Sequence, residues 1–262
     1  MSSAAARARR ERIVTLAEDT GLTGVDELSA RLAVSPSTIR RDLARLTADG
    51  RLARTYGGAM ALTTAPAETP LHRRTAEAGE AKQAIAALAA THVGAGQTIL
   101  LDAGSTVAAL ARALRGSRGD LTVVTPSLTA VVTLGHTDGV HVTCLGGTYR
   151  PISQAFVGPL TEAALERMTF DAAFLGTDGV SPELGVCEAD TEQIRLKELM
   201  ARRAHRVYVL AHAAKLGAAP FHAWAPWQPG WTLVTDAAAE PAQVRALRAR
   251  GVEVLLAAPA AR

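Results

Sequence analysis

Residues 98–110 read TILLDAGSTVAAL. Thr98 to Asp102 has the length of a short strand and is apolar until its last residue. Ala103-Gly104-Ser105-Thr106 makes a tight turn, and Val107 to Leu114 continues as a helix. A strand with apolar residues at consecutive positions is covered on both faces, as in a sheet held between two layers of helices.

Outward from this unit the rhythm repeats. A helix over 81–92 precedes it. After it come LTVVT (121–125), a short helix, VHVTCL (140–145), a helix over 159–168, DAAFLG (171–176), a helix over 191–204, VYVLA (207–211), TLVTD (232–236), a helix over 241–250 and VEVLL (252–256). Seven such strands separated by helices predict an α/β fold with a mainly parallel sheet. Ligands of such sheets sit at the carboxyl ends of the strands.

Residues 1–60 follow another pattern. A first helix is expected from Arg7 to Glu18, a second over VDELSARL (25–32) and a third from Pro36 to Ala48, with no strand before residue 51. RLARTYGGAM (51–60) then alternates around Gly57-Gly58, as a small hairpin does. Residues 61–79, with weak periodicity and two prolines, read as a linker between this small domain and a larger one over 80–262.

The chain has 262 residues, 48% hydrophobic and 20% charged, enough for a sizeable core beside a small domain. Its apolar runs are broken well short of a bilayer crossing and no leader pattern opens it, so a cytoplasmic protein without a membrane partner is expected. Cys144 and Cys187 lie far apart with no zinc-site spacing, and both read as buried or incidental thiols. Neither a metal nor a cofactor is expected. Residues 1–60 hold ten arginines against seven acids, while the rest holds eighteen cations against eighteen acids. The net charge of +3 therefore belongs to the first sixty residues, where a polyanionic partner is to be sought.

The third helix carries that charge. Ser35 is a good N-cap and Pro36 suits the first helical position. Ile39, Leu43 and Leu46 fall on one face for packing, with Ser37, Arg41 and Arg45 opposite and Thr38 and Arg40 flanking them. An isolated basic helix is more often just a solvated face. Here a helix and a short turn precede it, its polar readers cluster at its N-terminal end, and the basic hairpin after it offers Arg54 and Tyr56 to phosphate. That combination favours DNA. Arg45, past the first turns, suits a phosphate better than a base.

LSARLAVSPSTIRRDLARLTADGRLARTYGGA (28–59) resembles the winged helix-turn-helix of the DeoR family of bacterial transcriptional regulators, the likeness extending over residues 7–60. By that resemblance Ser37, Thr38, Arg40 and Arg41 contact bases or phosphates, and Arg54 to Gly58 form the wing.

In the larger domain the strand ends share one style. The turn at 103–106 can cradle an anion with backbone N–H groups and two hydroxyls, or can be a plain helix cap. TPS (125–127), GGT (146–148) and GTDG (176–179) follow other strands, and Lys215 lies shortly after VYVLA. Together they suggest a polar pocket for a phosphorylated polyol or sugar. Only Lys82, Lys197 and Lys215 are lysine among twenty-eight cations, a hint that lysine is required where it occurs. LDAGST, VVTPS, LGG, FLGTDGV, EADTEQIRLKELM, LAHAAKLG and LVTD resemble the DeoR sensor domain over residues 70–258, a fold similar to ribose-5-phosphate isomerase. The resemblance implies a sugar-phosphate effector, with Asp102, Gly104, Ser105 and Thr106 at the phosphate and Gly146, Gly147, Asp178 and Lys215 lining the rest. Pro126 and His212 replace an asparagine and an aspartate frequent in the family, which removes two groups able to bind sugar hydroxyls.

The expected protein is a homo-oligomeric regulator, a repressor of sugar or polyol genes, that binds operator DNA and is not an enzyme. The rival reading is a sugar-phosphate isomerase using Asp178, Glu188 or Glu192, and Lys215. Against it, no paired carboxylates occur at the FLGTDGV strand end.

Overall fold

The structure, a computed structural model, describes residues 3–20, 22–48, 52–55, 58–61, 68–116 and 119–258. The chain divides into two compact units, Met1–Ala67 and Glu68–Arg262.

The first unit runs α1 (Ser3–Thr20), β1 (Leu22–Gly24), α2 (Val25–Leu32), α3 (Pro36–Ala48), β2 (Leu52–Thr55) and β3 (Gly58–Ala61). Ile13 and Val14 of α1, Leu28 of α2, and Ile39, Leu43 and Leu46 of α3 close into one small core, as the helical spacing predicts. β2 and β3 pair antiparallel, as expected for the wing. β1 is a strand the sequence pattern misses: three residues, LTG, show no alternation, and they become a strand only by pairing with Met60, Ala59 and Gly58. The result is a winged helix-turn-helix.

The second unit runs α4 (Leu71–Ala76), α5 (Gly79–Ala90), β4 (Thr98–Leu101), α6 (Ser105–Leu114), β5 (Leu121–Thr125), α7 (Leu128–Leu134), β6 (Val140–Cys144), β7 (Thr148–Arg150), β8 (Ala155–Val157), α8 (Pro159–Leu165), β9 (Phe170–Leu175), β10 (Gly179–Ser181), β11 (Gly185–Glu188), α9 (Thr191–Arg202), β12 (Ala204–Leu210), β13 (Ala223–Ala225), β14 (Trp231–Asp236), α10 (Pro241–Ala249) and β15 (Glu253–Ala257). Seven strands form one sheet in the order β15-β14-β12-β9-β4-β5-β6. All six pairings are parallel, and the strands are the seven apolar runs read from sequence. Successive residues face opposite layers. Leu100, Ala173, Leu175 and Val209 pack toward α8, α9 and α10, whereas Ile99, Leu101, Phe174 and Tyr208 pack toward α5, α6 and α7. Phe174 and Tyr208 stack with ring centroids 5.1 Å apart.

From β4 the chain winds outward through β5 to β6, while β9 lies on the other side of β4 and the chain then winds outward to β15. The direction of winding therefore reverses between β4 and β9. At such a reversal the loops leaving adjacent strands part in opposite directions and open a crevice at the carboxyl edge.

Two features differ from expectation. Residues 71–76, read as linker, form α4, and the second unit begins at Glu68. Leu71 is buried and its N–H donates to the Ile152 carbonyl at 2.9 Å, a tertiary tie with no local signature. The sheet also carries two small additions: the β7–β8 hairpin, and an antiparallel trio in which β11 lies between β10 and β13. The tryptophan-rich loop is pinned to that trio, Trp227 Nε1 donating to the Ser181 carbonyl at 2.9 Å. Among the described residues no helix is long and apolar enough to cross a membrane.

Candidate DNA-reading helix and effector recess

In the first unit α2 ends at Ala33, in the left-handed region at φ 51°. Ser29 Oγ donates to the Val34 carbonyl at 2.5 Å, closing the turn. Ser35 caps α3: the Thr38 N–H points at its Oγ at 3.4 Å, and that oxygen lies 2.9 and 3.0 Å from the hydroxyls of Ser37 and Thr38. Three hydroxyls thus gather at the positive end of the helix. Ser37, Arg40, Arg41 and Arg45 are exposed and Thr38 is half-buried. Asp42, on the same helix, is buried and accepts from Arg9 Nε of α1 at 2.6 Å, tying the reading helix to the first helix. Arg9 went unremarked among ten arginines because its partner is 33 residues away. The backbone of Arg54 pairs with Ala59 in the wing, but its side chain and all of Tyr56 lie outside the described residues.

In the second unit the crevice between β4 and β9 is lined by Arg74, Gly104, Ser105, Thr106, Gln193 and Lys215, among others. Gly104 sits at φ 130°, a conformation that side chains avoid, and so turns the chain for α6 to start with its N–H groups toward the recess. Gly176 of the neighbouring loop approaches closely: a Cβ there would meet the Ala103 carbonyl at 2.7 Å.

Beneath the recess lies a buried charge cluster. Asp102 accepts from the N–H groups of Ala103 at 2.7 Å and Gly176 at 3.1 Å, so one carboxylate bolts the two loops together. Lys197 of α9, 2% exposed, donates to Asp102 and to the Gly176 carbonyl, and its Nζ lies 3.2 Å from Glu188. Burial alone would lower the Lys197 pKa, but Asp102 and then Glu188 hold it above its ordinary value. Burial raises the Glu188 carboxyl against the pull of Lys197. At the rim, Asp178 accepts from Arg74 Nη1 at 3.0 Å, with Lys215 Nζ 4.0 Å away. Burial lowers the Lys215 pKa, opposed first by Asp178. Lys215 also donates to the Thr177 carbonyl.

Three buried atoms here find no partner among the described residues: Arg74 Nε, Asp178 Oδ2 and Gln193 Oε1. One is a donor and two are acceptors, a set that matches an anion carrying hydroxyl groups.

Residues 77–237 match the family model described as the DeoR C terminal sensor domain, and residues 9–65 match the DeoR-like helix-turn-helix domain. The chain belongs to the DeoR family. Its relatives include the HTH-type transcriptional regulator GlpR of Haloferax volcanii, 34% identical over 94% of this chain and 96% of that one. The putative aga operon transcriptional repressor of Escherichia coli O157:H7 is 32% identical over 95% and 93%. The glycerol-3-phosphate regulon repressor of Escherichia coli K12 is 30% identical over 80% and 82%. Ribose 5-phosphate isomerase A of Methanocaldococcus jannaschii overlaps 51% of this chain and 52% of its own at 19% identity and a TM-score of 0.38, too loose to bear on function.

In this DeoR chain, Gly104, Ser105, Thr106 and Lys215 meet at one recess, with Asp178 at its rim. Asp102 is spent on the loop backbones and Lys197, so what it does here is frame the turn at 103–106. Gly146 and Gly147 end β6 instead. A Cβ on Gly147 would meet Thr161 Oγ1 at 2.2 Å, so Gly147 packs closely against α8, while the Gly146 carbonyl accepts from Thr161 at 2.6 Å. Arg74, Lys197, Gln193 and Glu188 were not named from sequence as effector ligands. The scarcity of lysine and the likeness of EADTEQIRLKELM to the sensor domain are the traces of Lys197 in the sequence. Asp102 and Glu188 come together on Lys197 from strand ends far apart in sequence, neither of them the FLGTDGV strand end. His212 is half-buried, with burial and then Lys215 lowering its pKa. Cys187 is buried, its thiol pushed up to about 11, but Cys144 is exposed at the end of the edge strand.

Lys82 completes the lysine set. It is buried and donates to the Glu77 carbonyl at 2.7 Å and to the Arg74 carbonyl, fastening the C-terminal end of α4. Burial, then Lys215, brings its pKa from 10.5 down to about 8. Between those values the unfolded chain binds more protons, so this group makes stability rise with pH across that window. Lys82→Met should flatten that rise in urea unfolding of the second unit. An equally steep rise in the variant would exclude Lys82 as its source.

Proposed function

We propose that this DeoR-family regulator is a repressor whose grip on operator DNA is set by a phosphorylated sugar or polyol held in the β4–β9 crevice. The observation that carries the effector reading is the set of unpartnered buried atoms, Arg74 Nε, Asp178 Oδ2 and Gln193 Oε1, beside the N-terminal end of α6. A phosphate takes the helix N–H groups, the two hydroxyls and the cations; the hydroxyls of the ligand take the acceptors. That a glycerol-3-phosphate regulon repressor is among the relatives supports this reading. Ser37, Thr38, Arg40 and Arg41 read the operator in this account, with Arg45, Arg54 and Tyr56 on phosphates. Operators with two-fold symmetry call for a homo-oligomer. In this account the protein acts on its operator in the cytoplasm.

The test is operator binding to the protein's own upstream region with and without glycerol 3-phosphate, pentose phosphates and hexose phosphates, alongside thermal shifts. One of these should raise the melting temperature and change operator affinity. Arg41→Ala should weaken specific binding by about 1–3 kcal/mol, roughly ten- to a hundredfold, with an unchanged unfolding curve. Rapid interconversion of a sugar phosphate by the purified protein would instead make it an enzyme, since Glu188 and Asp178 are the groups such a reaction would need.

A further inference from the structure

Arg74 faces two ways. Its Nη1 holds Asp178 at 3.0 Å, while its Nη2 reaches Glu68 at 3.5 Å and its Nε is buried without a partner. Nε and Nη2 form the edge by which a guanidinium grips a carboxylate or a phosphate in two parallel bonds, and here that edge holds one long contact. Glu68 is held more firmly elsewhere, Arg150 Nη1 donating to it at 2.9 Å and Nη2 to its other oxygen, and Arg150 in turn lies 3.5 Å from Asp190.

The linked groups are three cations, Arg74, Arg150 and Lys215, and three acids, Glu68, Asp178 and Asp190, so the network is neutral as it stands. The recess leaves about 10 Å³ for an occupant, roughly one water. A phosphate is larger than that and brings up to two negative charges, so a lining group must give way and an acid must lose a cation. The weakest contact in the network is the one between Arg74 and Glu68. Glu68 is also the first residue of the second unit, and the chain before it leads to the DNA-binding unit.

We propose that Glu68 is a built-in anion that competes with the effector phosphate for Arg74, so that filling the recess and the Arg74–Glu68 contact exclude each other and Glu68 is left to Arg150 alone. The proposal rests on the reading of the recess as a phosphate site. It gives the ligand a differential contact between two states, without which no ligand shifts an equilibrium.

The test uses the full-length protein, inorganic phosphate as probe, and ionic strength held constant with chloride. Glu68→Gln removes the competing charge and should bind phosphate about tenfold more tightly than wild type, within the usual range of coupling between sites. Without phosphate its operator affinity should equal that of phosphate-saturated wild type, and phosphate should change it no further. A mere loss of packing would not produce that equality. Glu68→Asp, which keeps the charge but shortens its reach, should fall between the two and serves if the glutamine variant folds poorly. If wild type and both variants bind phosphate equally, the competition is refuted while the phosphate site stands. If none of them binds inorganic phosphate or glycerol 3-phosphate, the site reading fails and the proposal with it.

Discussion

Lys197→Ala will cost the second unit about 3–5 kcal/mol, because it leaves two carboxylates facing one another in the interior without their common cation. Lys197 is 2% exposed, and Asp102 and Glu188 both converge on its ammonium. Loss of the lysine also strips the Gly176 carbonyl of a donor at 2.6 Å. The deficit should depend on pH, with a definite sign. Burial already lifts the Glu188 carboxyl against Lys197, so without the lysine it is lifted further. A folded-state pKa above the unfolded value of about 4.3 means stability is retained below that pH and lost as pH rises. With the wild-type carboxyl already raised to about 8 and the variant's higher still, the gap between them should widen as pH rises above about 8. Trp224, Trp227 and Trp231 are the chain's three tryptophans and all belong to the second unit, so their fluorescence in urea reads this unit. Equal midpoints at neutral pH would show that Asp102 and Glu188 do not share a charge-balancing lysine.

Ile39→Ala acts on the other unit. Ile39 is fully buried in a core of six residues, and removing three carbons from such a site costs about 2–5 kcal/mol. A unit of 67 residues has roughly 3–10 kcal/mol in all at the usual stability per residue. The substitution should leave much of this unit unfolded, abolish operator binding, and leave the tryptophan unfolding curve and the effector-induced thermal shift in place. Operator affinity within a few fold of wild type would mean that the reading helix does not depend on this core. Comparison with Arg41→Ala separates loss of fold from loss of contact, since only Ile39→Ala should change the helical signal.

Much of the fold is legible in the sequence because burial writes itself into composition. The seven parallel strands are covered on both faces, so runs such as TILL and FDAAFL stand out, and α2 and α3 show their apolar stripes. β1, β7, β8, β10 and β13 are three residues each, too short to show a local period, and β1 and β13 exist through pairing to distant segments. The site divides in the same manner. Gly104, Ser105 and Thr106 sit in one recognisable turn, but Arg74 finds Asp178 across 104 residues and Lys197 finds Asp102 across 95. A helix of six residues with one buried leucine, α4, looks like linker, and so the arginine it carries to the recess goes unnoticed.

The way this sheet divides its labour bears on how such regulators diversify. Residues that fill the two layers lie along the strands and helices, while those that line the recess lie in loops and at the ends of helices and strands on one edge of the sheet. A lineage could therefore exchange side chains around the recess without repacking the interior. Asp102 is where that freedom stops. The same carboxylate shapes the turn at 103–106 and neutralises the buried lysine, so a change there should alter the recess and the endurance of the fold together. New specificities should arise around it and leave it in place.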